Sequence, residues 1–149
     1  MAYELTALVG PPHALARLRH PALPRGPVAL TEEWALVPVD REGLAEFGVS
    51  AFDVDDVVQE LGPAVLAASL ATTLAYVHIE TFGGLADEAV AVWRAGELVW
   101  QARAEDQGDE RLSPEAFRLV GVMATEGLDE FDTLGLGRHR ETEDWFDEP

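Results

Sequence analysis

The sequence predicts a single α+β domain, an antiparallel sheet with a central β-hairpin and helices packed mainly on one face. Residues 74–81 alternate between apolar and polar side chains, which is typical of a strand. Residues 89–94 and 97–103 flank an Ala-Gly pair, the spacing of a two-residue hairpin. Residues 113–115, Ser-Pro-Glu, start a helix with a cap, a proline at the first position and an acid in the first turn. The length of 149 residues suits one domain.

The first half of the chain supplies further strands and a short helix. Residues 4–9 predict a strand that ends at a Gly-Pro-Pro run. Pro12 suits the first position of a helix through residue 20. Residues 34–39 predict another strand, and Pro38 favours an edge position for it.

Three helical stretches are predicted next, at residues 41–47, 54–61 and 64–72. The second has Asp53 as its N-cap. Pro63 separates it from the third, which is apolar almost all round and is therefore expected near the centre of the domain.

The hairpin and the last helix define the expected core. In the simplest hairpin register Ala91 faces Trp100 and Val92 faces Val99, so both faces of the hairpin are partly apolar. Such a hairpin is covered on both sides, by helices alone or by helices and a partner. The last helix is expected to run to about residue 124, with a buried stripe formed by Ala116, Leu119, Val120 and Met123.

Acid is the dominant feature of the composition. The chain has 28 Asp and Glu against 10 basic residues, all arginine, and a net charge of −18. Such a surface repels nucleic acid and anionic membranes and attracts cationic partners at long range. The sequence therefore predicts a basic protein partner, no nucleic acid and no membrane.

Several chemistries lack their motifs in this sequence. Cysteine is absent, which excludes disulfides and thiolate ligands. Residues 48–52, Gly-Val-Ser-Ala-Phe, end in phenylalanine where a nucleophile elbow needs glycine. The four histidines do not form a zinc motif, and no Walker loop occurs. We therefore assign no catalytic residue, metal or cofactor. Without a signal peptide or a membrane-length apolar run, a cytoplasmic protein is expected.

One group of polar residues is a candidate ligand site. Tyr76, His78 and Glu80 share one face of a predicted strand, and Glu88 follows the Gly-Gly turn at residues 83–84. Imidazole and carboxylate groups can converge across adjacent strands for acid–base or metal chemistry. The simpler alternative is that these residues form the solvent face of a half-buried strand.

Acidic segments are the candidate binding surface for a basic partner. The end of the chain interleaves aromatics with acids, and we expect residues 141–149 to form a flexible acidic tail in which Trp145 anchors a partner. The alternative is that Phe131 docks in the core and the last residues are only a frayed acidic terminus. The predicted binding residues are Asp53, Asp55, Asp56, Glu105, Asp106, Asp109, Glu110 and Trp145.

The segment around the Gly-Gly turn carries a resemblance. Residues 76–93 combine an acidic strand end, Phe-Gly-Gly, a short turn and an Ala/Val strand that ends in Trp. With Asp-Glu-Phe-Asp at 129–132 and Leu-Gly-Leu-Gly-Arg-His-Arg at 134–140, this pattern resembles small bacterial proteins that look similar to the immunity proteins of polymorphic toxins. This chain has Ala86 and Glu88 where that pattern has a glycine and a glutamine. The resemblance implies a toxin as the partner.

Three functions follow as hypotheses. The favoured one is a cytoplasmic acidic protein that masks a basic partner, of the immunity or inhibitor type. The second is a small enzyme or ligand-binding domain around His78, Glu80 and the Gly-Gly turn. The third is a homodimer formed through the exposed face of the hairpin between Trp93 and Trp100, with an apolar seam that overcomes the charge repulsion.

Overall fold

The computed structural model describes residues 2–148 and contains six strands in one sheet. They are β1 (Tyr3–Gly10), β2 (Val28–Ala29), β3 (Ala35–Pro38), β4 (Thr73–Phe82), β5 (Leu85–Arg94) and β6 (Glu97–Gln107). The order across the sheet is β2-β3-β1-β4-β5-β6, and every neighbouring pair is antiparallel. The prediction of a single α+β domain with an antiparallel sheet is confirmed. The β5–β6 hairpin lies at one end of the sheet and not at its centre.

Six short-to-medium helices and one 3₁₀ turn surround the sheet in the described residues. They are α1 (Pro12–Leu15), α2 (Arg41–Ala45), α3 (Val54–Ala68), α4 (Ser113–Val120), α5 (Glu130–Thr133), the 3₁₀ turn (Leu136–Arg138) and α6 (Thr142–Phe146). Helices α1 to α3 cover one face of the sheet, and the later helices cover the other.

The helices therefore pack on both faces, which corrects the expectation that they lie mainly on one. On the side of α1 to α3 the core includes Tyr76 and Trp93 of the sheet. On the opposite side Val77 and Val90 pack against α4 and α6. The alternation in β4 is real, but both of its faces are buried, because a two-sided sheet buries polar and apolar positions alike.

Helix α3 is continuous through Pro63, where the sequence predicts a break. Proline removes one intrahelical hydrogen bond, to the carbonyl of Gln59, and its ring is exposed to solvent here. The buried residues Leu61 and Val65 on either side hold the helix against the sheet. Packing thus outweighs the local cost of the proline.

Helix α4 ends earlier than expected. Gly121 adopts a left-handed conformation with φ of 117°, and its N–H donates to the carbonyls of Phe117 and Arg118 at 3.2 and 3.0 Å. This C-cap stops the helix at Val120. Met123, which the sequence predicts to be buried, lies beyond this cap and is 87% exposed. Phe117, which is not part of the predicted stripe, is a core residue.

The β5–β6 register differs from the simplest one by a bulge. Val92 pairs with Trp100 and Trp93 with Leu98, so that Val99 is the extra residue. Ala91 consequently pairs with Gln101 and not with Trp100. The bulge sets the direction of the side chains along the rest of β6.

The end of the chain is part of the fold. The N–H of Glu4 donates to the carbonyl of Arg140 at 2.7 Å, and the N–H of Thr6 donates to Thr142 Oγ1 at 2.8 Å. Residues 140–142 thus run beside β1 where β3 has ended. The expected flexible tail, residues 141–149, is replaced up to residue 148 by α6 and its flanks, and residue 149 lies outside the described residues. Within residues 2–148 no helix is long and apolar enough to cross a membrane.

Candidate functional site

The fold places the first acidic segment against β6, the strand that leads into the second acidic segment. Asp53 Oδ1 accepts a hydrogen bond from Arg103 of β6 at 2.7 Å, and Asp55 accepts one from Gln101 of the same strand. Residues 105–110 continue from this point along the end of β6 and the following loop. We call this surface the acidic rim. It consists of Asp53, Asp55, Asp56, Glu105, Asp106, Asp109 and Glu110.

Helix α3 and β6 position the first half of the acidic rim. Asp55 and Asp56 lie in the first turn of α3, where the positive end of the helix dipole favours acids. Asp53 does not cap the helix with its side chain. It pairs with Arg103, whose guanidinium also lies 5.4 Å from the ring centre of Phe52. These contacts hold the start of α3 against β6.

Most of the charge on the acidic rim is uncompensated. Asp56, Glu105, Asp109 and Glu110 are exposed, and their side chains make no hydrogen bond or ion pair within residues 2–148. In the part of the chain that the structure describes, Arg103 is the one cation that pairs with an acid of the rim. Seven acids beside one paired arginine, four of them exposed and without a side-chain partner, form a surface that attracts positive charge.

Trp145 does not belong to this surface. Its side chain is fully buried, packed with the core on the side of α4 and α6. The Arg138 guanidinium lies 5.3 Å from its ring centre, and the His139 ring meets it edge-on at 4.6 Å. The interpretation of Trp145 as an exposed anchor is therefore corrected, because a fully buried indole is not available to a partner.

The four residues of the candidate ligand site do not converge. Tyr76, His78 and Glu80 lie on the face of the sheet that α1 to α3 cover, whereas Glu88 pairs with Ile79 and lies on the other face. Tyr76 is fully buried and its hydroxyl donates to the carbonyl of Ala51 at 2.7 Å. The predicted acid–base set is thus divided between two cores.

Glu88 holds the start of α4. One carboxylate oxygen accepts from the N–H groups of Leu112 and Ser113 at 2.5 and 3.2 Å and from Gln107 Nε2 at 3.1 Å. The other accepts from Ser113 Oγ at 2.6 Å. A cavity of about 340 Å³ lies beside this group near the Gly-Gly turn. It does not include the other three residues of the predicted site.

His78 lies in a buried polar network between β1 and β4. Thr6 Oγ1 donates to Glu4 Oε2 at 2.8 Å, so the 2.9 Å contact between Thr6 Oγ1 and His78 Nδ1 has the imidazole N–H as its donor. His78 Nε2 lies 3.5 Å from Glu80. Thr142 Oγ1 completes the network by donating to Glu4 at 2.7 Å. The hydroxyls of Thr6 and Thr142, the Glu4 carboxylate and His78 Nδ1 satisfy one another, which is what buried polar groups require.

Burial lowers the pKa of His78 from its ordinary value of 6.5, and the carboxylates of Glu80 and Glu4 oppose this shift. Because the folded state binds the proton less tightly than the unfolded state, acid favours unfolding. The contribution of neutral His78 to stability is fully present above about pH 6.5 and decreases as the pH falls below it. We expect His78→Gln to reduce the loss of unfolding free energy between about pH 7.5 and about pH 5.5, measured by urea titration. Equal losses in both proteins would show that His78 does not carry this dependence.

A cleft of about 980 Å³ opens between the α2–α3 region and α6. Four carboxylates and one guanidinium line it, those of Glu4, Asp40, Glu42, Glu143 and Arg41. Arg41 lies 3.6 Å from Glu4 and offsets part of that charge. Among residues 2–148, no group of three or more His, Cys, Asp or Glu is placed to hold a metal ion.

No family model, curated protein or solved structure matches this chain. The geometry of its described residues therefore carries the functional inference. Sequence reasoning missed two contributors to that geometry, Arg103 beside the acidic rim and the link from Thr142 to Glu4. Alternation of Glu4 and Thr6 on a strand is a sequence pattern that could have indicated a polar pair on one face. Nothing local in the sequence connects them to a residue more than 130 positions away.

Proposed function

We propose that this protein is a cytoplasmic binding protein that masks a basic protein partner, in the manner of an immunity or inhibitor protein. The observation that carries the proposal is the acidic rim, in which the acids of residues 53–56 lie beside β6 and those of residues 105–110 continue from the end of the same strand. Their exposure and the single paired arginine support a role in attracting positive charge. A toxin with a basic surface, as the sequence resemblance implies, is a partner of this kind.

Charge at the acidic rim would act mainly on the rate of association. Complementary potentials steer a partner into contact and fix its orientation, and salt screens this effect. The net charge of −18 extends the attraction beyond the rim itself. The rim differs from the rest of the surface in placing charges next to an exposed strand, β6, where a partner can make close contact.

Neutralising the acidic rim is expected to weaken partner binding by about tenfold or more. The variant combines Asp56→Asn, Glu105→Gln, Asp109→Asn and Glu110→Gln, because these four side chains make no contact that the fold needs. Binding is measured by affinity capture from the native cytosol at low and high salt, followed by titration of the recovered basic protein.

A matched control removes the same amount of charge elsewhere. It combines the exposed acids Glu32, Glu33, Glu46 and Glu126, each changed to Gln. The control is expected to retain most of the binding. If both variants lost binding equally, net charge and not the acidic rim would be responsible. If neither lost it, the proposal would be wrong.

A second candidate function, a small ligand-binding domain, is favoured by the acidic cleft beside α6. It replaces the predicted set around His78 and the Gly-Gly turn, which the fold divides. Its lining carries a net negative charge, because the carboxylates outnumber the one arginine. The two candidates are separated by the same capture experiment, since none of the four rim acids that are changed lines the cleft.

A further inference from the structure

Strand β6 is an open edge of the sheet. It is the outermost strand, paired with β5 alone, and none of its 11 residues is buried. An unpaired edge presents backbone N–H and C=O groups that can accept another strand. The opposite edge, β2, has only 2 residues.

Natural proteins usually protect such an edge. Short length, proline and lysine are common devices, and β2 uses the first of them. Strand β6 has neither proline nor lysine. Its bulges lie opposite the Val92–Trp93 and Ala86–Glu88 steps of β5, and they leave residues 100–104 in regular register. This stretch of β6 is therefore long and regular enough to pair with an added strand.

We propose that residues 100–104 of β6 accept an extended basic segment of the partner protein as a seventh strand. The inference rests on the proposed function, because the acidic rim and the open edge are the same side of the domain. Backbone hydrogen bonds would supply affinity, and the side chains on alternate positions would supply specificity.

The two faces of the sheet at this edge favour a segment whose side chains are alternately basic and apolar. Gln101 and Arg103 lie on the face that α3 covers, where Asp53 and Asp55 contact them. Side chains of the added strand on that face would meet these carboxylates and are expected to be basic. Trp100 and Ala102 lie on the other face, partly buried against the core there. The intervening side chains of the segment are therefore expected to be apolar.

Charge favours a basic segment over a second copy of this chain. Strand β6 contains Glu97, Glu105 and Asp106 against one basic residue, Arg103. A second copy would bring the same excess of acid and a net charge of −18 against an equal charge. A basic segment brings the opposite sign to the strand and to the acidic rim.

The test uses a peptide of about eight residues that alternates arginine and valine, a length that suits one added strand. The matched control peptide has the same composition with the arginines and valines in two blocks, so that its charge is equal and its alternation is lost. Binding is measured by calorimetry, and amide hydrogen exchange is followed in the intact protein. We expect the alternating peptide to bind about tenfold more tightly and to slow exchange at residues 100–104 by about tenfold or more.

Three other results would contradict the addition of a basic strand to β6. Equal binding of both peptides without slower exchange in β6 would reject strand addition and leave a purely electrostatic acidic rim. Binding of neither peptide would also reject strand addition, while the capture experiment with the rim variant still decides the proposed function. Slow exchange at residues 100–104 without peptide, together with a doubled mass in light scattering, would show that a second copy occupies the edge.

Discussion

Replacing Trp145 with alanine is expected to lower the free energy of unfolding by about 4 kcal/mol. The indole is fully buried and packs in the core formed by the sheet, α4 and the end of the chain. The Arg138 guanidinium and the His139 ring also contact the indole, and the unfolding free energy falls further with the volume of the cavity that does not collapse. Urea unfolding at neutral pH measures the loss.

Trp145→Phe is the matched control. The indole Nε1 has no hydrogen-bond partner within the described residues, so phenylalanine removes volume without removing a hydrogen bond. We expect Trp145→Phe to lose less than half as much free energy of unfolding as Trp145→Ala. A partner anchor behaves differently, because an exposed anchor lost to alanine weakens binding and leaves the unfolding midpoint unchanged. An unchanged midpoint for Trp145→Ala would therefore contradict the buried position of the ring.

Local patterns were sufficient to predict most of the strands. The alternation at residues 74–81 and the two glycine-containing turns around β5 define β4 to β6, because side-chain period and turn chemistry are local properties. The position of these strands in the sheet was not predictable in the same way. Placing the hairpin at one end depends on pairing β1 with β4, about 70 residues away. The burial of both faces depends on the helices that the rest of the chain supplies.

Composition alone predicts a solvated tail at residues 141–148, where the structure has α6. Residues 141–148 are rich in acids, which favours a solvated tail when charge alone is considered. At least one of these carboxylates makes specific contacts. Glu148 accepts hydrogen bonds from Arg138 and His139 at 2.7 and 2.5 Å. These contacts lower the pKa of Glu148, with the His139 hydrogen bond as the largest cause. Acid in this segment therefore helps to fix the fold as well as to face solvent.

The candidate surface was predictable residue by residue, but not as a unit. Negative charge identified residues 53–56 and 105–110 separately. Their link follows from the packing of α3 against β6, the strand that leads into residues 105–110, a contact between segments about 50 residues apart. The candidate ligand site failed for a related reason. Strand alternation correctly predicts that Tyr76, His78 and Glu80 lie on one face of β4. Glu88 lies on the opposite face of the sheet, because the β4–β5 register pairs it with Ile79.

Replacing Glu88 with alanine is expected to lower the free energy of unfolding by about 3 kcal/mol. The carboxylate is 1% exposed and accepts hydrogen bonds from the N–H groups of Leu112 and Ser113, from Ser113 Oγ and from Gln107. Its loss leaves donors at the start of α4 without partners, and buried unpaired donors cost more than the hydrogen bonds themselves.

Glu88→Gln distinguishes a structural acceptor from a ligand-binding acid. The amide oxygen can still accept from the backbone N–H groups of Leu112 and Ser113, and the amide nitrogen can donate to Ser113 Oγ. We therefore expect a loss of about 1 kcal/mol, well below that of alanine, in urea unfolding at neutral pH. If Glu88 served a bound cation instead, both variants would unfold like the unsubstituted protein, since the charge would matter to the ligand and not to α4. If the unsubstituted protein, Glu88→Ala and Glu88→Gln had equal unfolding free energies, Glu88 would not cap α4 and would again be a candidate ligand-binding residue.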